Sequence, residues 1–334
     1  MRFPMKEAKR YNSTTPPAEL DSRCTPTDRT FLVYHLGIPD IDAGRWRLSI
    51  GGLVRRPATL ALRDLLALPQ ATLHAVHECA GSPLRPTVPV RRVANVSWTG
   101  VRLRPLLLAA EPLPEARYAW FGGADSGVYP PTGVYNEAYV KDVPLEAALG
   151  EDVLLATAMN GQPLAAERGA PLRLVVPGFY GTNSVKWLTD IRLESGRSQG
   201  YFTADLYNDE VVEGGVPRRV PVWQLAPSSL IVAPQSAGLR AGRETEIRGW
   251  AWGEREIRSV RVSTDGESTW REAALEPRRE RCWQRFHLPW TPAAPGRYEL
   301  ASCATDDGGR SQPKRGARNE VFRSTVEAKE GEDP

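Results

Sequence analysis

Glycine and proline, 29 residues of each, recur so often along this chain of 334 residues that no apolar run between them grows long. Both residues interrupt regular helix, and proline is kept out of sheet interiors, so what remains is a series of short segments. "RWRLSIGGL", "TLHAVHECA", "PLRLVVPG" and "SVKWLTDIRLE" have the content of strands, rich in Val, Leu and Trp and bounded by turn residues. "TLALRDLLAL" and "VPLEAALGEDVLLA" carry the spacing of short amphipathic helices. The reading is an α+β, mainly β protein, and the length is that of two domains.

From about Glu210 to Pro227 the text "EVVEGGVPRRVPVWQLAP" has the proline, glycine and charge of an interdomain linker, which puts a boundary near Pro221. After it, "ETEIRGWAW", "IRSVRVSTDG", "STWREAAL", "CWQRFHLPW" and "RYELASCATDDGG" alternate between turn residues as the strands of an all-β sandwich do. Trp250, Trp252, Trp270 and Trp283 are expected in that sandwich's core and inter-sheet packing. The expected divisions are an N-terminal extension over 1–22, a first domain over 23–220, the sandwich over 221–326 and a charged, disordered tail over 327–334.

A net charge of +3, with both signs interspersed, supplies no basic stripe for nucleic acid or an anionic membrane surface. No apolar run approaches the length needed to span a bilayer. The first residues lack a signal peptide's apolar region and the paired arginines of a twin-arginine leader, so the expectation is a cytoplasmic protein, or a periplasmic one if that end is processed or misassigned. Cys24, Cys79, Cys282 and Cys303 form no C-x-x-C and read as free thiols.

Cys79 stands in "HECAGSPLR", where a strand meets a turn. If "LHAVHECAG" is a strand, Leu73, Ala75, His77 and Cys79 share one face while His74, Val76 and Glu78 share the other. A zinc-hydrolase site of His74, His77 and Cys79 would therefore be split across the strand. The other reading from the residues alone is a cysteine packed as a small hydrophobe.

"HECAG", "NVSWTGVRLRPLL", "FGGAD", "AYVKDVPLEAAL" and "LLATAMNGQPLAAERGAPLRLVVPGFYGTNSVKWL" occur in the order seen in the sulfite oxidase family of molybdenum enzymes, and the chain resembles that family from about Thr30 to its end. "GWAWGEREIRSVRVSTDGESTW" resembles the immunoglobulin-like dimerisation domain that follows the family's catalytic domain. The resemblance implies a molybdenum-molybdopterin cofactor, with Cys79 the thiolate ligand of the metal. A soft thiolate suits a metal already held by sulfur. Tyr139 in "AYVKDVPL" resembles the active-site tyrosine. His35, Asp125, Arg168, Arg173, Ser184, Val185 and Lys186 match cofactor-contacting positions. Arg and Lys favour a phosphate, and pterin nitrogens need an acceptor such as Asp. Arg168 stands where many relatives have histidine.

Two departures bear on substrate. In "FLVYH", Val33 replaces an arginine that sulfite-oxidising relatives use for the oxyanion. A second family arginine has no counterpart in "SQGYFTADLYND", where Ala204 and Asp205 stand. Arg85 is the candidate replacement. The implied function is two-electron oxygen-atom transfer on sulfite or a related sulfur compound by a homodimer that passes electrons to an external acceptor, since no haem or cytochrome b5-like segment is present. The alternatives are a reductase of S- or N-oxides with the same cofactor and, from another class, a cofactor-free dimeric binding protein.

Overall fold

The computed structural model describes residues 3–7, 10–82 and 91–330. It divides into two units, the first made of Met1–Ser13, Leu32–Leu73 and Val96–Trp223, the second of Thr14–Phe31, His74–Asn95 and Gln224–Pro334. Each unit thus gathers three stretches of chain, and Cys79 belongs to the second.

The first unit is built on a five-stranded sheet in the order Val140–Pro144, Tyr118–Gly123, Leu188–Glu194, Arg47–Gly52, Ala58–Ala61. Its pairings are antiparallel except that Leu188–Glu194 runs parallel to Arg47–Gly52. Alternation in "RLSIGG" buries Leu48 and Ile50 on one face, where they join Trp46, Phe121, Val143, Ile191 and Leu193 in the core. The short helix Leu62–Leu66 closes on this core through Leu65. Leu154–Met159 pairs with Val93–Arg102, Gln162–Pro163 and Arg173–Val175 in a second sheet. "VPLEAALGEDVLLA", expected as helix, is helical only over Leu145–Ala148, and its second half is strand Leu154–Met159. The consecutive apolar residues of that half are buried on both sides, a pattern that periodicity alone does not separate from helix.

The stretch expected as a linker is a hairpin of Asn208–Glu213 and Val216–Pro221, turning at Gly214 and Gly215, both at positive φ. Its valines Val211, Val212, Val216 and Val220 are exposed. Gly-Gly supplies the left-handed backbone that such a turn requires, a hairpin signal carried inside a linker-like composition.

The second unit holds two four-stranded antiparallel sheets, one ordered Ser228–Ala233, Thr245–Trp252, Gln284–Trp290, Ala274–Leu275, the other Arg271–Glu272, Ile257–Ser263, Gly296–Asp306, Phe322–Ala328. The last strand reaches Ala328, into the segment expected as a disordered tail, because Arg297 to Gly296 pair with Glu327 and Ala328. A buried hydroxyl pair, Ser229 and Ser302 at 2.8 Å, joins the sheets, and Ser229 also donates to Gln312 at 2.6 Å.

Three tryptophans expected between the sheets do other work. Arg248, Trp250 and Trp252 alternate onto one face of their strand. Trp250 Nε1 donates to Leu20 O at 2.6 Å, Trp283 Nε1 to Arg23 O at 3.0 Å and Trp252 Nε1 to the Glu78 carboxyl at 2.8 Å. Arg248 pairs with Asp21 at 2.7 Å, and the rings of Trp250 and Trp283 stack at 4.7 Å. The face is therefore covered by Thr14–Phe31 and His74–Asn95. Buried indoles need acceptors, and these segments bring carbonyls and a carboxyl that a sandwich interior lacks. Trp270 is only half-buried, against Ala301, Cys303 and Val321. Among the described residues no helix is long and apolar enough to cross a membrane.

Candidate cofactor site

In the first unit, Arg173 opens strand Arg173–Val175, while Ser184, Val185 and Lys186 lie in the turn before Leu188–Glu194. Leu174 N–H donates to Val185 O at 2.8 Å and Val176 N–H to Ser184 Oγ at 3.1 Å, which locks the turn against the strand. Arg173 lies buried over the Trp98 ring at 4.6 Å and donates to Arg168 O at 3.2 Å and Ser184 O at 3.3 Å. Lys186 donates to Glu167 O at 2.9 Å and sits 4.3 Å from the Trp187 ring. Trp187, at φ 49°, ends the turn.

Asp125 follows strand Tyr118–Gly123 and is buried beside Lys186. Gly123 makes room for it: a Cβ there would stand 2.5 Å from Asp125 Oδ1 and 2.8 Å from Lys186 O. Burial raises the Asp125 carboxyl against the pull of Lys186. Burial, then the neighbouring Arg173, hold Lys186 well below the ordinary lysine range. Arg173 is pushed down to about 9 by burial and by Arg168, and burial lowers Arg168 as well. Arg168 and Arg173 thus crowd Lys186, which faces Asp125, a buried concentration of basic groups that an anion relieves.

His35 packs against two adjoining rings, Phe202 at 5.3 Å and 14° and Tyr139 at 5.9 Å and 25°, whose own centroids are 4.5 Å apart, with Tyr129 edge-on at 5.4 Å. Its Nε2 is 2.6 Å from the Tyr207 hydroxyl, while its buried Nδ1 has no hydrogen-bond partner among the described residues. Burial, with Arg10 and Lys186 nearby, pushes His35 down to about 3, so the ring is neutral. The Tyr139 hydroxyl meets Thr182 O at 2.9 Å and Thr182 Oγ1 at 2.6 Å. Two residues along the same strand Lys141 is wholly buried, donating to Phe202 O at 3.1 Å and lying 5.1 Å from the Tyr207 ring.

In the second unit, Cys79 follows strand Gln70–Glu78, and its Sγ accepts from Gly81 N–H at 3.4 Å. Cys79 N–H donates to Arg92 O at 2.9 Å, Arg92 donates to Gly81 O at 2.7 Å, and Arg318 donates to Ala80 O, so two guanidiniums brace the turn. Burial raises the thiol, opposed by the Gly81 N–H and by Arg92 and Arg318. His74 is held by Glu280 at 3.2 Å, and His77 stacks on Phe31 at 5.5 Å. Among the described residues no three His, Cys, Asp or Glu side chains gather as metal ligands, which removes the zinc alternative. Arg85 lies outside the described residues. Val33 is half-buried in the strand Val33–Tyr34 and pairs with Asn12.

Tyr207, Phe202, Lys141, Thr182 and Arg10 escaped the sequence reading. The signal for the first two was the aromatic density of "YFTADLY", which closes on His35 as one wall.

The chain matches the family model described as oxidoreductase molybdopterin binding domain over residues 35–202. It is 32% identical to mitochondrial sulfite oxidase of Mus musculus, over 91% of this chain and 60% of that protein, and 31% identical to sulfite oxidase of Gallus gallus, over 89% and 70%. The chain belongs to the sulfite oxidase family. A solved structure, the sulfane dehydrogenase SoxCD of Paracoccus pantotrophus, superposes with a TM-score of 0.81 at 25% identity, covering 96% of this chain and 90% of that one. The chain spans about three fifths of the length of the mouse relative.

The donor set of this family member fits molybdenum-molybdopterin. Cys79 is a soft sulfur ligand that a metal would deprotonate. Arg168, Arg173 and Lys186 would supply cations for the cofactor's phosphate and Asp125 an acceptor for pterin N–H groups, and His35 Nδ1 is a buried polar atom without a hydrogen-bond partner among the described residues.

Proposed function

We propose that the protein is a molybdenum-molybdopterin oxidoreductase that oxidises sulfite or a related sulfur compound by two-electron oxygen-atom transfer. The observation that carries this reading is a buried cluster in which Arg168 and Arg173 crowd Lys186, which in turn faces the buried Asp125. When bound, the cofactor supplies a two-electron oxo-transfer centre, with water as the oxygen source and two electrons and two protons leaving. Cys79 holds the metal, and the Gly81 N–H at its Sγ stabilises the thiolate. The Lys186–Arg173 cluster holds the phosphate, and Asp125 accepts from the pterin. Tyr139, braced by Thr182, presents a hydroxyl that exchanges its internal hydrogen bond for one to substrate oxygen. Arg10, close enough to lower His35, adds positive field for an anionic substrate.

The structural relative is a sulfane dehydrogenase, which extends the candidate substrates from sulfite to sulfane sulfur. A second reading, reduction of a neutral S- or N-oxide, is favoured by Val33, which offers no charge to an oxyanion. Restoring a guanidinium with Val33→Arg lowers KM for sulfite about tenfold and leaves a neutral S-oxide unchanged, the size expected for one charge-assisted contact. Molybdenum analysis, then turnover of sulfite, a sulfane donor, dimethyl sulfoxide and trimethylamine N-oxide with an artificial electron carrier, tests both readings. Protein purified from a molybdopterin-producing host without stoichiometric molybdenum overturns them. We further propose a homodimer formed through the sheets of the second unit and an external electron acceptor. Sedimentation showing a monomer at micromolar concentration refutes the dimer.

A further inference from the structure

Tyr207 stands in the segment where the chain departs from its family's pattern, and it makes a contact of 2.6 Å with His35 Nε2. A neutral imidazole carries one N–H, so its two nitrogens have opposite roles, and whatever one does dictates the other. An N–H donor to a phenol oxygen is ordinarily found at about 2.7–3.2 Å, whereas hydroxyl donors reach about 2.5–3.0 Å. The contact fits a donating hydroxyl, and the tautomer of the ring decides the direction. Basicity agrees, because an imidazole lone pair is a stronger acceptor than a phenol oxygen. The imidazole packs on the adjoining rings of Phe202 and Tyr139 with Tyr129 at its edge, which places Nε2 against the Tyr207 hydroxyl.

We propose that Tyr207 is a positioning residue: its hydroxyl donates to His35 Nε2, fixes the Nδ1–H tautomer, and so points a donor rather than a lone pair into the cofactor site. The ligand that this donor takes is an acceptor atom, a carbonyl, ring nitrogen or anionic oxygen of the bound pterin. Burial of Nδ1 without a partner among the described residues supports a ligand in that place, since a buried polar atom left unmet is destabilising. Burial, with Arg10 and Lys186 nearby, keeps the ring neutral, because a second proton there would be desolvated and would add to existing positive charge. The cofactor part of this inference rests on the functional reading above, and the tautomer does not.

The experiment exploits a chain with four histidines. Protein labelled with 15N-histidine gives long-range 1H–15N correlations in which the tautomer of each ring is read directly, and His35→Gln assigns the His35 signals. The wild type is expected to show a pyridine-type Nε2 and a pyrrole-type Nδ1 at His35, unchanged across pH 5–9 because the ring does not protonate. Tyr207→Phe keeps the ring beside Lys141 and removes only the hydroxyl. It is expected to lose the single Nδ1–H pattern and to retain roughly a tenth or less of the wild type's molybdenum per chain under dilution, the range seen for partners that orient a ligand. A wild-type His35 with a pyrrole-type Nε2, or a Tyr207→Phe protein with the tautomer unaltered, overturns the assignment. A wild type with the expected tautomer and no molybdenum upholds Tyr207 as the tautomer-setting group and refutes the functional reading instead.

Discussion

Lys141 offers the sharpest test of how this core tolerates charge. Its side chain is fully buried and donates to the Phe202 carbonyl at 3.1 Å, and desolvation, opposed by Asp142 and reinforced by Arg197, pushes it down to about 7. Asp142 gives it little relief because that carboxylate is spent on Arg197 at 3.0 Å and on Ser198 N–H at 2.9 Å. The ammonium group holds its proton more weakly in the folded protein than in the unfolded chain. Between pH 7 and the unfolded lysine value near 10.5 the unfolded state therefore binds more protons, and stability rises with pH. One unit of pKa difference is worth about 1.4 kcal/mol, so allowing for half-protonation at pH 7 the gain from pH 7 to pH 9 is about 2 kcal/mol. Other groups titrate in the same window, and Lys141→Met isolates this one. Urea unfolding of both proteins at the two pH values is expected to show wild type gaining about 2 kcal/mol on the variant as pH rises. If the two proteins respond to pH alike, to within about 0.5 kcal/mol, Lys141 keeps its charge in the folded state and the desolvation reasoning fails.

Cys79→Ser keeps the turn but replaces the soft ligand with a hard one, and metal analysis is expected to find molybdenum reduced at least about tenfold, with circular dichroism unchanged. Gly123→Ala drives a methyl group to 2.5 Å from Asp125 Oδ1 and 2.8 Å from Lys186 O, so chemical denaturation should register a loss of about 1–3 kcal/mol. Trp252→Phe strips the Glu78 carboxyl of its indole donor at 2.8 Å, and a loss of about 1–3 kcal/mol is expected, whereas an unchanged midpoint shows that other partners suffice.

Where burial faces one side, the sequence was easily read. The alternation of "RLSIGG" and "TEIRGWAW" announced strands, and the motif order placed Asp125, Arg173 and Lys186 on segments that the fold brings together. What stayed hidden depends on partners remote in sequence. Trp250, Trp252 and Trp283 announce burial equally well on either face of a sheet. Only the acceptors at Leu20, Glu78 and Arg23 reveal which face was used. The hairpin after Tyr207 was masked by prolines at its edges, which a two-stranded ribbon tolerates because its outer positions need no ladder bonds. Tyr207 itself belongs to no repeating pattern, and nothing local marks it as the neighbour of a histidine 172 residues away.

The way the second unit is assembled also orders events during biosynthesis. Thr14–Phe31 and His74–Asn95 leave the ribosome early, yet the indoles and the arginine that hold them, Trp250, Trp252, Trp283 and Arg318, are among the last to be made. Stretches completed first usually fold first, but here the turn carrying Cys79 has only its Arg92 contacts until Gln224–Pro334 brings Arg318. If Cys79 holds a metal as proposed, loading is expected to follow synthesis of Gln224–Pro334, because Arg318 in that stretch is one of the two guanidiniums that brace the cysteine's turn.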